Sequence, residues 1–199
     1  MKRIALEHAK QNPSFMGAWM LPDPSICEEL VSYFEQRPGQ QRPGTSGLGK
    51  NNTEVKDSMD MSISPAVIAE SGNEVLQKYF QQLFHCYNDY SDQWPFLKEA
   101  FPSVEIGSFN LQKYKPGQHF KNLHTERTSI HTLHRLFAFM TYLNTIDDGG
   151  STHFHYYDLD IQPKKGLTLI WPAEWTHLHR GNPVINGIKY IITGWMNIH

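Results

Sequence analysis

Hydrophobic side chains in the first half of the chain recur at the spacing of α-helices. After Asp23-Pro24-Ser25, apolar residues three and four positions apart predict one helix, which Arg37-Pro38-Gly39 ends. A second helix is predicted over Pro65–Tyr87, with Gly72 as the point at which it can break. The stripes of the two helices indicate core-facing sides, formed by Ile26, Leu30, Tyr33, Phe34, Leu76, Phe80, Leu83 and Tyr87.

From Val104 onward the pattern changes to short runs rich in β-branched and aromatic residues, which favour strands. Proline, glycine, aspartate and asparagine separate these runs and are typical of turns. The predicted strands are Val104–Tyr114, Leu136–Asn144, Gly166–Trp171 and Ile188–Met196. The chain is therefore expected to be mostly β, with flanking helices from its first half.

The segment Pro38–Asn52, between the two predicted helices, is rich in glycine and proline and indicates a loop. Two interpretations remain open, a flexible connector and a lid over a substrate groove. Neither side of the loop has enough elements to fold alone. We expect one domain over residues 1–199, with supporting helices and the lid loop in residues 1–103 and the main strands in residues 104–199.

Composition narrows the class of protein without identifying it. A length of 199 residues with 39% hydrophobic content suits one globular domain with a sizeable core. No apolar run approaches the roughly 20 residues that cross a bilayer, and no secretory leader is expected. A formal charge of −2 gives no bulk attraction to nucleic acid or to membranes. Two cysteines, Cys27 and Cys86, are too few for a disulfide framework, so we expect buried thiols and a cytoplasmic location. The sequence does not indicate the oligomeric state.

Candidate chemistry lies in the second half of the chain. Side chains at i and i+2 of a strand share a face, so His124 and Glu126 can reach one ion. A distant histidine, His177 or His179, would complete the set of two imidazoles and one carboxylate that holds non-haem Fe(II). Lys189 lies on a predicted strand, where a buried ammonium requires an anion. His-x-Glu alone also occurs in ordinary surface loops, so a structural role for the triplet stays equally open.

An ordered series of longer motifs is more specific than any single triplet. It comprises Tyr114–Phe120, His124-Thr125-Glu126, Arg135–Asn144, Gly149–Phe154 and His179–Trp195. This series resembles the 2-oxoglutarate/Fe(II) dioxygenase superfamily, in particular its prolyl-4-hydroxylase-like group. The resemblance implies a double-stranded β-helix, a cupin-like jelly roll, with N-terminal helices packed on one sheet. It also implies that residues 104–199 form the catalytic barrel core.

The resemblance also implies the site. His124, Glu126 and His179 correspond to the Fe(II) ligands, with 2-oxoglutarate and O₂ as co-substrates and ascorbate as an optional reductant. Lys189 corresponds to the residue that binds the far carboxylate of 2-oxoglutarate. Tyr114 and Thr152 correspond to residues whose hydroxyls bond to that carboxylate. Arg135 and Trp195 correspond to residues that contact the substrate.

Two details concern the ligands themselves. In collagen-type prolyl hydroxylases the ligand histidine lies four residues before a Pro-Val pair and ten before the lysine. His179 meets both counts and His177 does not. We therefore expect His177 to be a packed neighbour of the site. Glu126 stands where the family usually has aspartate, so its extra methylene must be absorbed by a backbone shift or a different carboxylate angle.

The leading expected function is a 2-oxoglutarate- and Fe(II)-dependent hydroxylase of proline in a peptide or protein. One alternative keeps this chemistry and changes the substrate to a free amino acid or other small molecule. Another is a non-catalytic metal-binding jelly roll, with Glu126 marking lost function. The lysine argues against the last, because a module without turnover does not need an anion-binding site.

Overall fold

The computed structural model of the protein describes residues 2–4, 14–46 and 51–198. The helices are Ser25–Glu35 (α1), Glu74–Gln93 (α2) and Phe96–Ala100 (α3). The strands are Lys2–Arg3 (β1), Gly17–Met20 (β2), Arg42–Pro43 (β3), Met59–Ile63 (β4), Val104–Ile106 (β5), Phe109–Tyr114 (β6), Phe120–His124 (β7), Arg135–Tyr142 (β8), Thr152–Phe154 (β9), Leu159–Ile161 (β10), Leu167–Pro172 (β11), His179–Gly181 (β12) and Lys189–Ile198 (β13).

The first predicted helix is confirmed as α1. The Asp23 carboxylate accepts hydrogen bonds from the backbone N–H and the hydroxyl of Ser25, at 3.0 and 2.6 Å, and so stabilises the turn that precedes the helix. The predicted apolar stripe is buried, and Cys27 lies buried as a free thiol on the same side. The helix thus begins where a hydrogen-bonded turn meets an apolar stripe.

The second predicted helix is divided at the expected point. Pro65–Ala69 forms a 3₁₀ turn, and α2 begins at Glu74. Gly72 lies between them with φ of 86°, a left-handed conformation that a helix cannot contain and that glycine adopts without strain. The predicted end at Tyr87 is too early, because Tyr90 and Ser91 continue the buried face and α2 runs to Gln93. The short helix α3 had no predicted counterpart.

Among the described residues the strands form two antiparallel sheets. The larger has the order β1-β2-β11-β8-β13-β6-β4-β3, with β5 paired to β13. The smaller has the order β10-β9-β12-β7. From β6 to β13 the chain passes back and forth between the two sheets. This alternation is that of a double-stranded β-helix, and the predicted fold class is confirmed.

Two hydrophobic layers hold the fold together. One lies between the sheets, where Ala138, Phe154, Leu169 and Ile191 pack together. The other joins α1 and α2 to the outer face of the larger sheet, where Phe80 meets Phe139 with ring centroids 6.0 Å apart. The expected packing of N-terminal helices on one sheet is therefore confirmed.

Three of the four predicted strands match β8, β11 and β13 to within two residues at each end. The fourth, Val104–Tyr114, is interrupted at Gly107 into β5 and β6. A Cβ at Gly107 would lie 2.5 Å from the side-chain amide nitrogen of Asn197, so a larger residue there would require that side chain to move.

Part of the predicted loop Pro38–Asn52 has regular structure. Pro38–Gln40 forms a 3₁₀ turn, and β3 pairs with β4 through Arg42 opposite Asp60. Residues 47–50 lie outside the described residues, so the choice between connector and lid stays a prediction.

Within the part of the chain that the structure describes, no helix has the length and apolar character needed to cross a bilayer.

Candidate metal and co-substrate site

The three predicted metal ligands meet at one end of the smaller sheet. His124 ends β7, His179 begins β12, and the two residues lie opposite each other in the strand register. Their ring centroids are 4.4 Å apart. Glu126 lies just beyond the end of β7. One ligand atom from each of the three side chains lies within 4.8 Å of the others.

Backbone carbonyls fix the tautomers of both histidines. Nδ1 of His124 lies 2.9 Å from the Asn122 carbonyl oxygen, and Nδ1 of His179 lies 2.8 Å from the His177 carbonyl oxygen. A carbonyl oxygen only accepts, so each Nδ1 carries a proton and Nε2 is the ring nitrogen left to bind a metal. Burial, helped by the nearby His179, lowers the pKa of His124 to about 4. At neutral pH, His124 is therefore an uncharged imidazole that can give an electron pair to a metal ion.

The carboxylate of Glu126 divides its oxygens between two partners. Oε1 lies 3.3 Å from Nε2 of His179, and Oε2 accepts a hydrogen bond of 2.7 Å from the Trp195 indole. Burial alone would raise the pKa of Glu126, but the hydrogen bond and charge of His179, with Trp195, hold that pKa well below its ordinary value. Glu126 is therefore a carboxylate at neutral pH.

Arg135 and Trp195, the two expected substrate contacts, lie against Glu126. Arg135 donates from Nη1 to the Glu126 backbone oxygen at 2.9 Å. Its guanidinium lies 3.5 Å from the centroid of the Trp195 ring. A contact of either residue with substrate stays a prediction, whereas their contact with Glu126 is part of the folded protein.

Aromatic rings hold the ligand histidines from the side. Phe120 stacks on His124 with centroids 3.8 Å apart and planes inclined by 11°. Trp171 and Phe154 pack against His179 at 5.2 and 5.4 Å. Two imidazole nitrogens and one carboxylate oxygen, held in this way, fit non-haem Fe(II).

The Lys189 ammonium is buried in the barrel, where it forms one hydrogen bond with the described residues. Its side chain donates to the Gly150 backbone oxygen at 2.9 Å and lies 4.6 Å from the centroid of the Tyr114 ring. No carboxylate of the described residues pairs with it. Burial lowers the pKa of Lys189 to about 8. An ammonium with three donors, one protein partner and 3% exposure needs an anion, and the far carboxylate of 2-oxoglutarate fits this requirement.

The two expected hydroxyl donors lie in this region. Tyr114 is opposite Lys189 in the strand register, and its hydroxyl donates to the Gln112 side chain at 2.7 Å. The Thr152 hydroxyl forms a hydrogen bond of 2.7 Å with the Tyr142 hydroxyl, which also lies 3.2 Å from the Ile161 carbonyl oxygen. Their bonds to a bound carboxylate stay predictions.

His177 is separated from the ligand set. It ends a 3₁₀ turn, Trp175–His177, so the regular strand on which it would share a face with His179 does not form. Its Nε2 lies 2.8 Å from the Ser14 carbonyl oxygen, and its Nδ1 lies 3.0 Å from the Thr176 hydroxyl. Both ring nitrogens therefore have partners other than the ligand set.

Sequence reasoning missed two features of the site. The Trp171 indole supports His179, and its N–H is buried with no hydrogen-bond partner among the described residues. The alternation along the predicted strand, with Leu169 and Trp171 on one face, could have indicated this position. A buried polar chain behind Tyr114, from Gln112 to Asp60 at 3.2 Å and on to Lys56 at 2.5 Å, had no such signal.

Comparison with known proteins agrees with this geometry. Residues 109–197 match the family model of the 2OG-Fe(II) oxygenase superfamily. Prolyl 4-hydroxylase 13 of Arabidopsis thaliana is 26% identical over 126 residues, which is 50% of this chain and 46% of that protein. Procollagen-lysine,2-oxoglutarate 5-dioxygenase 2 of Homo sapiens is 40% identical over 50 residues, 25% of this chain and 7% of that protein.

Solved structures share the fold along nearly the whole chain. A viral collagen prolyl hydroxylase from Paramecium Bursaria Chlorella virus-1, in complex with 2-oxoglutarate, aligns with a TM-score of 0.68 at 19% identity, covering 94% of this chain and 98% of that chain. A Pseudomonas putida prolyl-4-hydroxylase aligns with a TM-score of 0.70 at 15% identity, covering 94% of each.

The chain spans less than half the length of the curated relatives named here. The resemblance drawn from the motifs is nevertheless confirmed. Residues 109–197 match the 2OG-Fe(II) oxygenase superfamily, and the chain is similar to prolyl 4-hydroxylases in sequence and in fold.

Proposed function

We propose that this chain is a 2-oxoglutarate- and Fe(II)-dependent hydroxylase that acts on proline within a peptide or protein. The observation that carries the proposal is the presence, in one barrel, of a two-histidine, one-glutamate cluster and a buried lysine without a carboxylate partner in the described part of the chain. A metal-binding module without turnover requires only the first. An oxygenase that uses an anionic co-substrate requires both.

In this proposal each residue has a defined task. Nε2 of His124, Nε2 of His179 and Oε1 of Glu126 hold Fe(II), and Lys189 binds the far carboxylate of 2-oxoglutarate beside Tyr114. Bound Fe(II), with 2-oxoglutarate and O₂, supplies the oxidising power for C–H hydroxylation, with release of succinate and CO₂. The protein holds the histidine protons at Nδ1, keeps Glu126 ionised and surrounds the ligands with aromatic rings that limit the access of water.

Proline is the proposed target because relatives in sequence and in fold carry the name prolyl hydroxylase. Among the solved structures, a Trichoplax adhaerens prolyl hydroxylase bound to a peptide fragment of hypoxia inducible factor aligns with a TM-score of 0.73. That complex supports a peptide as the substrate class. We further propose that helices and barrel act together as one oxygenase domain.

Succinate release tests the proposal directly. The protein is incubated with Fe(II), 2-oxoglutarate, ascorbate and O₂, with and without a library of proline-containing peptides, and products are analysed by mass spectrometry. We expect peptide-dependent succinate and one added oxygen atom on proline. Turnover of a free amino acid without any peptide product would move the substrate to small molecules. No succinate under any condition would contradict an oxygenase.

Two histidine variants provide a matched pair for the metal assignment. His179→Ala removes a proposed ligand, so Fe(II)-dependent turnover is expected to be lost. His177→Ala removes a neighbouring imidazole that bonds to Ser14, so a measurable part of the turnover is expected to remain. An inactive His177→Ala with an active His179→Ala would show that the ligand assignment is wrong.

A further inference from the structure

We propose, on the basis of the function proposed above, that Trp195 and Arg135 are positioning residues that fix Glu126 so that it presents a single oxygen to the metal. In this arrangement a glutamate serves where the related family usually has aspartate. Neither residue touches the metal in this proposal. Both act through Glu126.

The three residues form a closed set of contacts. The Trp195 indole N–H donates to Oε2 of Glu126 at 2.7 Å, a short distance for an N–H donor and typical of a bond to a charged acceptor. Arg135 donates to the backbone oxygen of the same glutamate at 2.9 Å. The guanidinium in turn stacks on the indole at 3.5 Å. Glu126 is therefore held at both its backbone and its carboxylate.

These contacts restrict the conformational freedom of the Glu126 side chain, which is longer than that of an aspartate. Glutamate has one more rotatable bond than aspartate, so an unrestrained carboxylate would lose more conformational entropy on binding an ion. With Oε2 bonded to Trp195, Oε1 is the oxygen that lies 3.3 Å from Nε2 of His179. The extra methylene lets the carboxylate reach both partners at once. An aspartate on the same backbone would be too short for one of them.

The strand register explains how Trp195 reaches this position. Ala138 on β8 is paired with Trp195 on β13 and with Trp171 on β11. Its small side chain is fully buried between the sheets and separates the two indoles. Trp171 packs against His179 while Trp195 bonds to Glu126. The larger sheet thus braces two ligands that are carried by the other sheet and its adjoining loop.

Removal of the indole N–H is the direct test. Trp195→Phe keeps an aromatic face for Arg135 and deletes the donor to Glu126. Metal-free protein is titrated with Co(II) in the absence of 2-oxoglutarate and followed by ligand-field absorption. Loss of a group that orients a metal ligand typically weakens metal binding 10- to 100-fold, and we expect a change in this range together with an altered band shape. Trp175→Phe, at an exposed tryptophan outside these contacts, is the matched control and should bind Co(II) as the wild type does.

A double-mutant cycle separates positioning from general damage. Glu126→Asp should weaken Co(II) binding strongly in the wild-type background and much less in Trp195→Phe, because the second contact is already absent. Additive losses would overturn the proposal, as would unchanged Co(II) affinity in Trp195→Phe. A thermal unfolding midpoint for each metal-free variant checks that folding is intact. If the wild type itself fails to bind Co(II), the proposed function fails with the inference, whereas tight wild-type binding with unaffected variants rejects the inference alone.

Discussion

At the scale of single residues, the buried ammonium of Lys189 requires an anionic ligand, and this requirement can be tested by substitution. Lys189→Met keeps much of the stem volume and removes the charge. Loss of a charged hydrogen bond, with the carboxylate left unpaired, should weaken 2-oxoglutarate binding by about 2–4 kcal/mol, or roughly 30- to 1,000-fold. Metal affinity should hardly change, because Lys189 is not a ligand. Anaerobic titration of the Fe(II)-loaded protein with 2-oxoglutarate, followed by the metal-to-ligand absorption band, measures the first effect, and titration of the metal-free protein with Fe(II) measures the second.

Lys113→Met is the matched control for this variant. Lys113 is also on the larger sheet, but it forms an ion pair with Glu35 at 2.7 Å on the outside of the barrel. Its replacement should leave 2-oxoglutarate binding unchanged. An unchanged dissociation constant for Lys189→Met would place the anion site elsewhere.

The lowered pKa of Lys189 predicts a pH dependence for the same binding step. The carboxylate of 2-oxoglutarate requires the ammonium form, and the pKa of about 8 means that the free protein loses this form as the pH rises through 8. The neighbours of Lys189 are the Tyr114 ring and the Gly150 carbonyl, and burial raises the pKa of Tyr114 well above its ordinary value, so Tyr114 stays neutral. We expect the dissociation constant to rise about tenfold per pH unit above pH 8. In Lys189→Met the constant should be independent of pH in this range, and a parallel rise in the variant would assign the titration to another group.

At the scale of elements, close backbone approach at Gly194 shapes the larger sheet. A Cβ at this position of β13 would lie 2.7 Å from the Phe109 Cβ and 2.8 Å from the Phe139 ring. Since the Phe109 Cβ is tied to the backbone of β6, it cannot move aside freely. Gly194→Ala should therefore lower the free energy of unfolding by about 1–3 kcal/mol, as overpacking does in other cores. Urea denaturation measures the change.

Gly39→Ala is the control for the Gly194 prediction. Gly39 lies in an exposed 3₁₀ turn, and a Cβ there would meet nothing within 4 Å. Its replacement should change the free energy of unfolding by no more than about 0.5 kcal/mol. Equal effects of the two substitutions would contradict the steric argument.

Element length decides how far the fold could be predicted from the sequence. The helical stripe of α2 extends over 20 residues and β13 over 10, so periodicity has room to show. Strands β9, β10 and β12 have three residues each, too few for a pattern, and none was predicted. The smaller sheet carries His124 and His179, so its role in the site was predicted through motifs and not through its own strand pattern.

At the scale of the whole molecule, the site exists only when the two sheets face each other. The smaller sheet and its adjoining loop supply the proposed metal ligands, whereas the larger sheet supplies Lys189, Trp171 and Trp195. Family resemblance predicted which residues would come together. The bond from Trp195 to Glu126 spans 69 positions and depends on the register of β13 against β8, which local sequence patterns do not encode.

Burial of Lys189 also links the stability of the whole molecule to its function. An unfolded lysine has a pKa of about 10.4, whereas the pKa in the folded protein is about 8. The unfolded state therefore binds more protons between these values, and stability rises with pH across this window. Below pH 8 the burial penalty is fully present in the ligand-free protein. Lys189→Met removes the penalty and should increase the free energy of unfolding at pH 7 by about 1–3 kcal/mol, with an advantage that shrinks as the pH rises above 8.

Urea denaturation of the metal-free protein at pH 7 and pH 9.5 tests this linkage. Lys113→Met is again the control, because removal of its ion pair with Glu35 should not increase the free energy of unfolding. Fe(II) with 2-oxoglutarate, kept anaerobic, should stabilise the wild type and have a smaller effect on Lys189→Met, since the stabilisation by a ligand rises with the logarithm of its affinity for the folded state. A Lys189→Met variant that is less stable than the wild type at pH 7, or equally advantaged at both pH values, would show that the lysine is already paired in the ligand-free protein. A gain in stability together with a loss of 2-oxoglutarate binding would show that this lysine is kept for its ligand and not for the fold.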